Sequence, residues 1–357
     1  MEPIWGHSKE LKRKMTSRVV IIILLFSFSI QSSSQENTDH ISILFYNVEN
    51  LFDTKNNPET EDDEYTPDGD RHWTYKRLHN KLLNTSKVIL SADGWNIPTV
   101  VALCEIENRD VLDMLITDTP LKSQPYKIIH KESPDHRGID VAFLYNAEQF
   151  LPINYKYYPL KNSDGSIKRT REILYVSGVL NGADTIHFFV NHWPSRYSGL
   201  LETKQLRASA AKLLHQKTDD LFEQLHSPKI IILGDFNDSP TDESLSEILN
   251  AKKVNNEVIE SELYNLSLDW VKANYGTLKY QSQWSVFDQI IVSGTLLNTA
   301  SGFIVKPENA TIINYPFLFE KDEKYGGLKH KRTYYGFSYL GGFSDHLPVL
   351  LKLEKID

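Results

Sequence analysis

The chain has 357 residues, ordinary apolar and charged fractions (40% and 24%), a net charge of −8 and a single cysteine. That length permits one large domain or two, and the lack of a Pro/Gly/Ser-rich linker or an internal repeat favours one. The lone Cys104 excludes an intrachain disulfide, and the acidic balance argues against an unspecific grip on long duplex DNA, although a local basic groove can coexist with it.

At the N-terminus Lys9, Lys12, Arg13, Lys14 and Arg18 precede an apolar run from Val19 to Phe26 that continues weakly to Ile30 and ends in Ser32-Ser33-Ser34. This is the order of a secretory signal peptide, cleaved near Ser34. The run is too short for a membrane span, so an uncleaved anchor is the lesser alternative. The division is therefore 1–34 signal and 35–357 mature domain, an exported protein without a membrane span once processed. Cleavage removes five basic and two acidic residues and takes the net charge from −8 to −11.

Short runs rich in Val, Ile, Phe and Tyr predict strands at 41–47, 99–105, 139–145, 172–180, 185–191, 229–235, 286–293 and 346–353. Helical spacing predicts helices over 75–90, 109–116, 201–225 and 243–249, the third with Leu206, Ala210, Leu213 and Leu214 on its core face. The acidic stretch from Glu59 to Asp70, broken by Pro67 and Gly69, is a solvated insertion without the register of an EF-hand loop. With Trp73 it is placed to wall a cleft. Cys104 falls inside a strand run and is read as a packed small hydrophobe.

Ionisable groups gather where these runs meet solvent. Asn47 follows Ile41 to Tyr46, Glu105 follows Val100 to Cys104, Gly234-Asp235-Phe236-Asn237 closes a run of isoleucines, and Ser344-Asp345-His346 opens the last strand. Carboxylates, amides and imidazoles delivered by several strand ends suit a hard cation with a histidine acid or base. The glycine permits a sharp strand exit, so that Asp235 and Asn237, two residues apart, can face one way.

In order, Asn47, Glu105, Asn191-His192, Gly234-Asp235-Phe236-Asn237, Phe287-Asp288 and Ser344-Asp345-His346 resemble the motifs of the endonuclease/exonuclease/phosphatase superfamily, the deoxyribonuclease I-like phosphodiesterases. The resemblance implies an α/β/β/α sandwich, two packed mixed sheets flanked by helices. It implies Mg²⁺, with Mn²⁺ or Ca²⁺ as substitutes, held by Glu105 and Asp345 with Asn47 beside it. It further implies Asp235 as proton acceptor for the attacking water, Asn237 as donor to the water or phosphate, His346 on the phosphate with Asp288 behind it, and His192 on a leaving or phosphoryl oxygen. Arg171 fits the family arginine that approaches phosphate, and Asp140 is the nearest acidic partner for His192. The expected substrate is a phosphodiester, nucleic acid ahead of a lipid or inositol phosphoester, cleaved by a monomer; a non-catalytic binding protein on the same fold is the rival class. Lys329, Lys331 and Arg332 before Tyr334-Tyr335 suit bases or a charged lipid headgroup.

Overall fold

The computed structural model describes Met1 and residues 40–196, 199–272 and 276–356, so the signal segment expected at 1–34 lies, apart from Met1, outside the described residues. Two compact units separate at Thr38/Asp39. The second holds two mixed sheets.

The first sheet contains β1 (His40–Leu51), β2 (Val100–Ile106), β3 (Tyr126–His130), β4 (Asp140–Asn146), β11 (Gly302–Ile304), β12 (Ala310–Ile312) and β13 (Val349–Ile356). Its order is β11-β13-β1-β2-β4-β3, with β12 also pairing β13. The second contains β5 (Phe150–Tyr158), β6 (Ile173–Leu180), β7 (Asp184–His192), β8 (Lys229–Asp235), β9 (Leu263–Asn265) and β10 (Asp288–Ser293), in the order β5-β6-β7-β8-β10-β9. Each sheet has one parallel pair, β1 with β2 and β7 with β8. A parallel pair needs a crossover, and α1 (Tyr75–Ser91) and α3 (Leu200–Gln224) supply the two.

The fold is therefore the expected four-layer sandwich. Leu44, Val101, Phe143, Phe188, Leu233 and Ile290 are buried in one apolar cluster that also takes Leu78 and Leu82 of α1 and Val111 and Leu112 of α2 (Arg109–Thr117). A smaller cluster joins Ala210, Ala211 and Leu214 of α3 to Phe189, Ile230 and Ile232 on the outer face of the second sheet. Burial on both faces explains why β1, β2 and β8 read as nearly continuous apolar runs.

Departures from the sequence expectation have physical causes. The last strand begins at Val349, because the segment before it bonds elsewhere, His346 bridging Leu278 and the Leu347 N–H donating to the Thr277 carbonyl at 2.8 Å, and Pro348 has no N–H for the ladder. The segment expected as a helix over 243–249 is a π-helical turn, Ser244–Ile248. β5, unpredicted, is an edge strand exposing Leu151, Ile153 and Tyr155, so its pattern lacks a clean buried face. Trp73 does not wall a cleft: it is fully buried, donating to the Phe52 carbonyl at 2.9 Å and packing against Tyr65 and Tyr334. Cys104 is buried and free, as read. No described helix is long and apolar enough to cross a membrane.

Candidate active site

Both parallel pairs end at the same level, and a parallel pair brings two strand C-termini side by side. The β7–β8 register sets His192 opposite Asp235, and the β8–β10 register sets Asp235 opposite Asp288. Asn47 lies on β1 opposite Cys104 of β2, one residue before Glu105. Across the sandwich the sheets meet where the Asn47 amide donates to Asp235 Oδ2 at 3.1 Å.

Asp235 is the focus. Its Oδ1 accepts the Asn237 N–H at 2.9 Å, and its Oδ2 lies 3.8 Å from Nε2 of both His192 and His346. Behind His346, Nδ1 contacts Asp288 Oδ2 at 2.7 Å. Asp288 is fully buried and its Oδ1 has no hydrogen-bond partner in this structure. The Ser344 hydroxyl donates to the Asn47 carbonyl at 2.7 Å and accepts the His346 N–H at 3.0 Å, seating the imidazole on β1.

The two histidines are held in opposite charge states. Burial opposes a charge on His346, but the Asp288 and Asp235 carboxylates outweigh it and keep the ring protonated well above the usual histidine range. His192 has no such carboxylate behind it, and burial, aided by the charges of Arg171 and Arg137, pushes its pKa well below the ordinary value. Its buried Nδ1 has no partner. An unpartnered lone pair costs less than an unpartnered N–H, which places the proton on Nε2, 3.9 Å from Glu105 and 3.8 Å from Asp235. Burial pushes the Asp235 carboxyl up to about 7, with the His346 charge opposing and Asp288 reinforcing the rise.

Other expected residues fall elsewhere. Asp140 is not the partner of His192: it pairs with His130 at 3.1 Å and accepts the Ser133 N–H at 2.7 Å. Arg171 is buried, its guanidinium committed to Asp135 at 2.9 Å and to the Trp193 carbonyl at 2.8 Å. Trp193 also receives the Asn237 amide at 3.1 Å, so Arg171 braces the turn that carries Asn237. Asp345 binds Arg332 at 2.8 Å, and Arg332 binds Glu49 at 3.0 Å.

Several members of the site had no signal of their own in the sequence. Glu49 sits beyond Asn47 with its carboxylate buried, accepting the Thr333 N–H at 2.7 Å. Lys81 of α1, buried, donates to Thr333 and the Phe343 carbonyl, and burial lowers its pKa to about 8. The Thr277 hydroxyl accepts the N–H groups of both Phe287 and Asp288 at 3.1 Å. The Asn47-Val48-Glu49-Asn50 run could have shown Glu49; nothing local marks Lys81 or Thr277.

The donor set fits a hard divalent cation. Glu49, Glu105 and Asp345 all act electrostatically on Arg332 and Lys81, so these carboxylates share one neighbourhood in excess of its cations. Asp235, Asp288 and His346 also bring potential ligand atoms within 4.8 Å of one another. Carboxylate oxygens without soft thiolates suit Mg²⁺, Mn²⁺ or Ca²⁺.

Such a carboxylate and histidine floor, at the meeting edges of two mixed sheets, suits a phosphoester hydrolase. Residues 42–355 match the endonuclease/exonuclease/phosphatase family, and the chain belongs to it. Solved structures repeat the fold at low identity. Humanized D. rerio TDP2 with 14 mutations is 15% identical over 88% of this chain and 98% of its own, with a TM-score of 0.53. The mannosyl-6-phosphatase of Bacteroides thetaiotaomicron is 17% identical over 89% and 100%, also at 0.53. An endonuclease/exonuclease/phosphatase family protein from the same organism is 16% identical over 88% and 94%, at 0.52. No curated protein matches the chain.

Proposed function

We propose that this chain is an exported, Mg²⁺-dependent phosphodiesterase that cleaves nucleic acid by in-line attack of water. One observation carries the reading: Asp235 lies between a charged His346 and a neutral His192, an arrangement that offers proton acceptor, cationic donor and neutral donor around one point. Glu105 and Asp345 would hold the Mg²⁺, with Asn47 and Glu49 adjoining. When bound, the ion neutralises phosphoryl charge and offers a Lewis-acid contact to oxygen.

The remaining roles belong to the chain. Asp235, raised by burial and oriented through both oxygens by Asn47 and Asn237, accepts the proton of the attacking water. His346, charged and backed by Asp288, presents Nε2–H to a phosphoryl oxygen, where a fixed cation counts for most in a water-poor site. His192 presents its neutral Nε2–H to the leaving oxygen. Water oxygen bonds to phosphorus as the ester P–O bond breaks, and the alcohol leaves protonated. The exposed ring of Tyr335 near the site, a face on which a base can stack, supports a nucleic acid over a lipid headgroup.

The test is the mature protein with Mg²⁺ against plasmid DNA, RNA, sphingomyelin, phosphoinositides and a bis-aryl phosphodiester, with EDTA and His346→Ala controls. Cleavage of DNA or RNA that both controls abolish is expected. Turnover confined to lipids would move the substrate to that class, and silence throughout would leave a binding protein.

A further inference from the structure

Beside the reaction centre lies a pocket of about 310 Å³, which Arg332 and Asp345 share with the metal-proximal cluster. Its walls come from hairpins 278–285, 319–330 and 334–339, outside both sheets. Its volume is at the small end of ligand pockets, room for one ring-bearing unit rather than a polymer segment (roughly 300–1,000 Å³).

Charge decides what it admits. Lys279 is spent on Asp322 at 2.8 Å and on the carbonyls of Gly326 and Leu328, both at 3.0 Å. Lys329 pairs with Glu320 at 3.1 Å and Arg332 with Asp345 at 2.8 Å. Lys324 lies 4.9 Å from the Tyr325 ring centre, and Glu323 beside it pairs with Lys321 at 3.0 Å. His330 is buried, its pKa lowered to about 3 by burial, and so adds no charge near neutrality. The lining sets Lys279, Lys324, Lys329 and Arg332 against Glu320, Asp322, Glu323 and Asp345, a formal balance that gives a second phosphate little net attraction, while a strand interior carries a phosphate on each side of every nucleoside. Its rim offers flat and apolar faces instead: Tyr335 is 64% exposed, Leu340 46% and Tyr325 39%. Aromatic faces stack any base, and paired acids and bases with Gln281 serve hydroxyls.

We infer that this pocket receives a single neutral, hydroxylated, ring-bearing group esterified to the scissile phosphate, a terminal nucleoside, so that the enzyme works from chain ends. The inference deepens the phosphodiesterase reading and rests on it. A hexose offers the same chemistry, and the test separates the two.

The holoprotein with Mg²⁺ is assayed on circular single-stranded DNA, the same DNA linearised, a dinucleoside monophosphate, a hexose phosphate and a bis-aryl phosphodiester. Expected are hydrolysis of the linear strand and the dinucleoside, an inert circle, and a Tyr335→Ala variant whose KM for the dinucleoside rises about tenfold with a much smaller change in kcat. Cleavage of the circle as fast as the linear strand overturns the inference while the phosphodiesterase reading stands. An unchanged KM in Tyr335→Ala overturns it too. Turnover of the hexose phosphate alone, with KM sensitive to Tyr335→Ala, supports the pocket and replaces the nucleoside. Silence on every ester, the bis-aryl one included, overturns the reading and the inference together.

Discussion

Glu105 has φ +63 and Glu49 φ +54, a left-handed backbone that non-glycine residues other than Asn seldom adopt. Each conformation costs about 1–2 kcal/mol, and the Glu49 carboxylate also crowds Asp345. Of the two, Glu105 is a residue that would ligate the cation and Glu49 adjoins it, a stability cost borne by function. Glu105→Asn, which tolerates this backbone and removes a negative charge, should raise the metal-free melting temperature while abolishing activity; a fall in melting temperature would show that Glu105 is not strained. A different carboxyl supplies a pH test. Burial pushes Glu107 up to about 9, against the Asp53 N–H that it accepts. A raised carboxyl pKa favours the folded state fully below the usual value near 4.5, and that contribution is lost as pH climbs toward 9. Melting curves of Glu107→Gln and the parent should agree near pH 4 and diverge in favour of the variant toward pH 9. Parallel curves across that range would mean that Glu107 is ionised in the fold. Most residues that the structure gathers at the sheet junction were legible because strand-end motifs carry their own chemistry: Asn47, Glu105, His192, Asp235 and His346 each follow or open an apolar run. Asp140 was misassigned to His192 because only the β3–β4 pairing reveals its contact with His130.

Among the elements, the insertion at 59–73 does its work from outside the cleft. Arg71 lies 4.8 Å from the Tyr65 ring centre, 5.1 Å from Tyr334 and 5.4 Å from Phe337, bonds Glu64 at 3.0 Å and donates to the Gly336 carbonyl at 3.0 Å. One guanidinium thus ties the insertion to the hairpin that carries Tyr335. Arg71→Ala removes cation–π contacts of about 0.5–1 kcal/mol each, and should speed amide exchange in 334–339 with β1 and β8 unaffected. Equal exchange in both proteins would free the hairpin from the insertion. None of this was legible in the sequence, where an acidic loop with a tryptophan looks solvated; the stack exists only once residues about 260 positions apart meet. The short hairpins escaped for a related reason, since their strands span three residues or fewer and carry no period to read.

For the whole molecule, the excess of carboxylates at the sheet junction makes the cation part of the stability balance. A ligand that binds only the folded state stabilises by about RT ln(1 + [L]/Kd), near 2.7 kcal/mol at a hundredfold excess over Kd. Millimolar Mg²⁺ should therefore raise the melting temperature of the parent and shift Glu105→Asn far less. An equal rise in both would place the ion elsewhere. The sandwich was legible through its resemblance rather than its periodicity, because short buried strands fix neither their order nor which pairs run parallel.

The strand order ties the site to the closure of the first sheet. β13, the last of the chain, pairs with β1, the first, and Ser344 is bonded to Asn47. Asn47 and Glu105 sit on β1 and β2, while the histidine opposite them is carried by the segment that leads into β13, so the site forms only where the two ends of the domain meet. Loss of β13 would therefore cost the first sheet its pairing with β1 and the site its seated imidazole in a single step.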